Sequence, residues 1–483
     1  MLVADSQLVV DPGFQALAAA RHVFSEPCGR CWSASTDDSR TVRHGGSLRR
    51  GRLKGGQEGT ASPSKQPLVT ASPLAVPPRP MRARSAYRSR YGHHVTTNPT
   101  SRDYNKASVL DAVLSHAPLT RNKLTELTGL SRATVFRAVE ELWADGFLVD
   151  CGIDEVTGRG RRSTYLDLSD TAGHVAGVSF GAQTTGVLVT NLRGREIQQV
   201  TVPTADHQEI ADAARWLVGL IAQAAESAQG PLRQIVVAVP GRVRGGTEIF
   251  GPAESMKIFE GSDLHRAIED LVDAPVLLDS DANAALLGIL TDDATLANAA
   301  LFSLSTRLNF AHCTDHELAR GSTPTFGDIG ALSSGVGNEI LDELLSTRGL
   351  LRFARKQGLD LERVEDLWLQ PRTDVPHAEV LQAFTAAIVT AVSVVAVTLD
   401  PESVYFVGRL RPLVDVVLPQ VRGRLDQILP AVPELRTGPH LIGLSTARGA
   451  VYACLTIAQR RLREAVLGAR HQSRLTERST PAF

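Results

Sequence analysis

The chain has 483 residues, 43% of them hydrophobic, with 51 Lys or Arg against 52 Asp or Glu, so it is too long and too apolar to be wholly disordered. Its length suits about three domains. The five cysteines, Cys28, Cys31, Cys151, Cys313 and Cys454, are too few and too scattered for a secreted disulfide framework, which points to a reducing cytoplasm.

Residues 1 to 100 hold 14 Lys or Arg against 6 Asp or Glu, whereas the remainder holds 37 against 46, so basic character gathers at one end. Asp5 and Asp11 interrupt the start, and no long apolar core follows them, unlike a signal peptide. From Ser33 to about Thr100 the chain is rich in Ser, Arg, Gly and Pro, and residues 1–101 are expected to form a disordered extension. Cys28 and Cys31 make only half of a zinc site. Met81 is a second possible start of the protein.

The next segment, residues 102–168, is expected to be a winged helix-turn-helix domain. A first helix is predicted from Asn105 to Ser115. Thr120 can cap a second helix carrying Leu124 and Leu127, which Gly129 and Leu130 then end. Ser131 is the natural cap of a third. There Val135, Ala138, Val139 and Leu142 fall at i, i+3, i+4 and i+7, which turns Arg132, Thr134, Phe136 and Arg137 away from the apolar stripe. A helix that enters the major groove needs such a free face, and an Arg near its start can bond guanine at two points. Phe147 to Val149 reads as a strand, and Arg159, Arg161 and Arg162 lie on a glycine-rich tip before Tyr165 and Leu166, suited to phosphate or minor-groove contact. An ordinary helical domain with a solvated loop accounts for each feature singly but not for the combination. The expected partner is double-stranded DNA with a palindromic operator, read by a homodimer.

Beyond Gly173, strands are predicted around Val175 to Val189 with a turn at Gly181, and a hairpin turn at Gly194. A helix at Ile210 to Ala225, strands at Ile235 to Val239 and Val276 to Leu278, and a helix from Ala282 give an α/β order. Asp281 reads as the cap of that last helix. His312, Cys313 and His316 form a local cluster with only one side of a metal site visible, and no metal is assigned. The longest apolar run, Ala386 to Leu399, is interrupted by Thr390, Ser393 and Thr398 and reads as a core helix rather than a membrane span.

Five stretches together resemble the ROK family of repressors, open reading frames and sugar kinases. They are Val175-Ala-Gly-Val-Ser-Phe-Gly181, Val237-Ala-Val-Pro-Gly241, Asp279-Ser-Asp-Ala-Asn-Ala-Ala285, Gly327-Asp-Ile-Gly330 and Leu399-Asp-Pro-Glu-Ser-Val-Tyr-Phe-Val-Gly408. The resemblance covers about residues 104 to 460 and implies a two-lobed, actin-like (ribonuclease H-like) ATPase fold. It places lobes at 172–290 and 291–440, a helix at 441–465 returning to the first lobe, and a flexible tail at 466–483. It also implies dimer contact through the kinase-like part.

The family's Asp-x-Gly-Gly-Thr phosphate turn is here Ser179-Phe-Gly181-Ala182-Gln183, without the metal-associated acid. Its second phosphate loop aligns with Ser305-Thr-Arg-Leu-Asn309, which has no glycine, and a third glycine run has become Gly408-Arg409-Leu410. No ATP, metal or other cofactor is therefore expected. Asp281 matches the family's catalytic base, but its sugar-contacting positions have become Ala253, Ser280, Asp328 and Ala331. The family's zinc cysteines are missing from Ala331-Leu-Ser-Ser-Gly-Val-Gly337. The expectation is a DNA-binding repressor with an inactive kinase-like domain and a sugar-type effector held near Asp281 and Asp328. The alternative is an active sugar kinase, and a third reading is a nucleoid-binding protein without effector.

Overall fold

The computed structural model describes residues 99–153, 164–293, 295–321, 323, 325–370, 372–438 and 442–468. Every described residue belongs to one compact unit. The readings made for residues 1–98, Arg159, Arg161, Arg162 and the end of the tail lie outside the described residues.

Three helices come first: α1 (Ser101–His116), α2 (Arg121–Thr128) and α3 (Arg132–Ala144). Helix α1 begins four residues before the sequence-based expectation. Thr100 and Asp103 form a reciprocal capping box there, the hydroxyl accepting from the Asp103 N–H and the carboxylate from the Thr100 N–H. Thr120 caps α2 and Ser131 caps α3, accepting from the Lys123 and Thr134 N–H groups at 3.3 and 3.2 Å. Between them Gly129 takes a left-handed φ of 66°, which only glycine adopts at little cost, and so ends α2. Strand β1 (Leu119–Thr120) pairs with β3 (Thr164–Leu168), which pairs with β2 (Leu148–Ile153), and the three form one antiparallel sheet. Leu110, Leu124, Val139, Leu142 and Leu166 are buried behind it.

Two five-stranded sheets follow with the same internal logic. The first has the order β10-β7-β4-β5-β6, from β4 (His174–Phe180), β5 (Thr184–Asn191), β6 (Glu196–Pro203), β7 (Leu232–Val239) and β10 (Val276–Ser280). Strands β4 to β6 form an antiparallel meander, while β7 lies parallel to both β4 and β10. A small hairpin, β8 (Arg242–Arg244) with β9 (Glu248–Phe250), leaves the carboxyl end of β7. Helices α4 (Ile210–Ala224) and α5 (Asp263–Glu269) make the crossovers, and α6 (Asp281–Asp292) leads out of β10.

The second sheet has the order β13-β12-β11-β14-β15, from β11 (Ala299–Leu304), β12 (Leu308–Thr314), β13 (Glu317–Leu318), β14 (Ser403–Val407) and β15 (Glu434–Thr437). Again an antiparallel meander is followed by parallel strands. Its crossovers are α7 (Leu341–Leu345), α8 (Thr347–Lys356), α9 (Asp366–Leu369) and α10 (Val375–Leu399), then α11 (Arg411–Ile428). Helix α10 is the one described helix long and apolar enough by composition to cross a membrane, and it extends well before Ala386. Its stripe Val380, Ala383, Phe384, Ala387, Ile388, Ala391, Val392 and Val395 is buried in the core of this lobe.

The last helix, α12 (Ile442–Gly468), crosses back to the first sheet and lies against α6. It continues to Gly468, past the predicted start of the tail. One apolar core runs through Val113 and Leu166 of the three-helix unit to Val451, Leu455 and Leu462 of α12. Polar contacts fasten the same junction: Arg463 Nε to Asp111 at 2.8 Å, and buried Arg193 to Asp167 at 2.7 Å and to the Ala117 carbonyl.

Candidate nucleic-acid interface and interlobe cleft

On α3 the stripe Val135, Ala138, Val139 and Leu142 is buried, so the opposite face reaches solvent. Arg132, Phe136 and Arg137 are exposed, Phe136 at 56%, and Thr134 is half-buried with its hydroxyl 2.9 Å from that of Ser131. The Arg121 guanidinium stands 5.7 Å from the centroid of the Phe136 ring.

Acidic residues at the far end of α3 are answered from within: Arg102 pairs with Glu141, Lys106 with Asp145, and Arg121 with Glu140 at 3.4 Å. Arg132 and Arg137 have no ion-pair partner among the described residues. A cavity of about 240 Å³ opens beside Arg137, with Thr134 on one wall and Arg102 and Asn105 of α1 on the other. The segment joining β2 to β3, with Arg159, Arg161 and Arg162, lies outside the described residues. The face thus presents uncompensated guanidinium charge, hydroxyls and one aromatic ring, the chemistry that bonds base edges and phosphates.

The second place of interest is the cleft between the sheets. Asp281 is the first residue of α6 but not its cap: Ser280 Oγ accepts from the Ala282 N–H at 3.2 Å, because its short side chain folds back one turn position earlier. The cap reading of Asp281 is therefore corrected. Its buried carboxylate accepts from Asn309 Nδ2, near the start of β12, at 3.1 Å. Asp328, at a 3-10 turn after β13, pairs with Arg242 on β8. Arg320 reaches back to Asp279 at 3.0 Å. Three polar contacts therefore join the carboxyl edge of the first sheet to the second lobe, through Asn309, Arg242 and Arg320, residues the sequence reading had not singled out. Each lies far in sequence from its partner, and no local spacing announces it.

Burial pushes the Asp281 carboxyl up to about 7, with the Ala282 N–H and the Asn309 amide pulling the other way. In the unfolded chain the group sits near 3.8, so the native state holds its proton more tightly. Its stabilising effect is full below that value and is lost as pH rises through about 7. Asp281→Asn, which keeps an oxygen for Asn309, is expected to remove this fall. Urea unfolding at about pH 5 and about pH 8 checks it: the variant should gain on the wild type at the higher pH, and a constant difference contradicts it.

Arg409 lies in the segment where the resemblance would bring a nucleotide close. Arg409 Nε donates to Glu365 at 2.5 Å, and its backbone N–H donates to Ser305 at 3.3 Å. His312 and Cys313 point to opposite sides of β12: the ring packs between Phe310 and Phe326, while the thiol faces the Ala297 carbonyl and is pushed by burial to about 11. Among the described residues no group of three His, Cys, Asp or Glu is placed to hold a metal.

Comparison with known proteins adds three findings. The model of the ROK family matches residues 175–438. The xylose repressor of Caldicellulosiruptor bescii is 24% identical over 280 residues, 55% of this chain and 69% of that protein, and the xylose repressor of Bacillus subtilis is 25% identical over 314 residues, 62% and 80%. With a further relative from Caldicellulosiruptor sp. (strain Rt8B.4), 29% identical, the chain spans less than half of that protein's length, 46%. Among solved structures, a ROK family transcriptional regulator described as a homologue of the E. coli MLC protein aligns with a TM-score of 0.58. It is 15% identical, over 76% of this chain and 99% of that one, and bears on the fold alone.

Proposed function

The chain belongs to the ROK family, and from that premise we propose that it is a cytoplasmic transcriptional repressor that reads a palindromic operator as a homodimer. The observation that carries this reading is the exposed face of α3, where Arg132 and Arg137 stand without ion-pair partners among the described residues. Arg132, Thr134 and Phe136 are assigned to the groove with Arg137, Thr120 and Ser131 to positioning on phosphates, and Arg159, Arg161 and Arg162 to the wing. The relatives named as xylose repressors support regulation by a sugar-type effector, held in the cleft near Asp281 and Asp328.

The kinase-like body serves dimerisation and sensing without phosphoryl transfer. The glycines that should let backbone amides approach phosphates are replaced by residues with side chains, and Glu365 holds Arg409 where the nucleotide would approach. Purified protein given ATP and a panel of hexoses and pentoses is expected to show no turnover above a blank. Phosphoryl transfer that disappears in Asp281→Asn would establish the kinase reading instead. A mobility shift with fragments of the surrounding genome tests the regulator reading directly, since a nucleoid-binding protein would shift all fragments alike.

A further inference from the structure

Helix α3 carries acids as well as arginines, and a neighbouring helix answers them. Arg132 and Arg137 face outward, but Glu140 and Glu141 follow one turn further on, so α3 by itself offers DNA no net positive charge. A carboxylate on a surface that approaches phosphates is repelled by them, most strongly within the ~8 Å that physiological salt leaves unscreened. Glu140 is exposed, and Arg121, the first residue of α2, donates to it through Nη2 at 3.4 Å. Phe136 stands one turn before Glu140, which puts ring and carboxylate side by side on α3, and the Arg121 guanidinium lies over that ring. A planar guanidinium serves ring and acid at once, as a lysine ammonium cannot. Arg121 Nε is buried without a hydrogen bond among the described residues, so that donor is closed to a phosphate. A half-exposed ion pair of this kind adds little to stability.

We propose that Arg121 is a positioning residue for operator reading: seated on Phe136, it neutralises Glu140, so that α3 approaches the phosphates without a bare carboxylate on that flank. This rests on the reading of α3 as the element that enters the groove. Arg121 acts through Glu140 and makes no contact with DNA itself, which separates it from Arg132 and Arg137 on the bases and from Thr120 on a phosphate. Arg102 of α1 pairs with Glu141 in the same manner, so both glutamates of α3 are held by arginines of other helices.

The test uses the full chain and the duplex that the wild type enriches most from a random-sequence pool, measured by fluorescence anisotropy at several salt concentrations. Arg121→Gln should weaken binding about tenfold, because Glu140 is then bare. Adding Glu140→Gln should reverse the loss: the double variant, whose net charge equals that of the wild type, should bind within about threefold of it and keep its salt slope. A double variant that stays about tenfold weaker overturns the proposal, and a slope lower by about one then identifies a direct phosphate contact. Arg121→Gln that binds as the wild type does also overturns it. So does a loss of helix in that variant, by circular dichroism at the assay temperature, large enough to account for the loss of binding. Glu140→Gln alone, at an exposed residue, keeps the test decisive if Arg121→Gln misfolds. It should bind at least as tightly as the wild type, and weaker binding would mean that the pair serves the fold and would overturn the proposal. A wild type that enriches no duplex overturns the regulator reading and this proposal together, whereas the other failures leave that reading standing.

Discussion

Arg137→Ala is expected to weaken binding to the preferred operator by ~1 to 3 kcal/mol and to relax base preference at one position of each half-site. The side chain is exposed on the outward face of α3, and no carboxylate among the described residues engages it, so removing it costs the fold little. What is lost is a two-point bond to a base edge, which only the matching base offers. The contrast is Arg161→Ala, which should weaken all sequences alike and flatten the salt dependence, as a phosphate contact does. Fluorescence anisotropy on the operator, a mutated operator and unrelated DNA at several salt concentrations separates the two. Equal losses on every DNA from both variants would refute the division between helix and wing.

The largest loss of stability is expected from Gly449→Ala. Helix α12 lies so close to α6 that a Cβ at this position would overlap the Ala284 carbonyl oxygen, and rigid backbone cannot yield as a side-chain tip can. Separating the helices would also strip cover from Ala447, Val451 and Leu455, all buried in the core shared with the three N-terminal helices. A cost of about 3 kcal/mol or more is expected. Gly219→Ala provides the internal control, since a Cβ there meets nothing within 4 Å and the residue lies inside α4. Relief of backbone entropy should leave that variant unchanged or about 0.4 to 1 kcal/mol more stable. Chemical denaturation of both variants decides the matter, and similar effects would contradict the tight helix crossing.

Both predictions show where the sequence was legible. Ser131 followed by Val135, Ala138, Val139 and Leu142 is a local pattern, a cap and a 3.6-residue stripe, and local patterns translate directly into α3. The start of α1 was harder: the Thr100 and Asp103 box sits where an expectation of disorder ran up to the domain edge. Ser280 and Asp281 are adjacent residues of equal capping talent, and only the backbone turn decides between them. The clasp of the cleft was not legible at all. Arg242 meets Asp328 and Asn309 meets Asp281 only because two sheets face each other across the crevice, which no window of sequence contains.

The central claim is that the exposed face of α3 reads sequence on behalf of a body that has given up phosphoryl transfer. Sequencing the genomic fragments retained by the full chain at physiological salt tests it most directly. The account predicts a small set of fragments sharing a palindrome with half-sites about one helical turn, or a multiple, apart, and loss of that set with Arg137→Ala. Recovery of fragments in proportion to their abundance, with no shared sequence and no change in the variant, would contradict it.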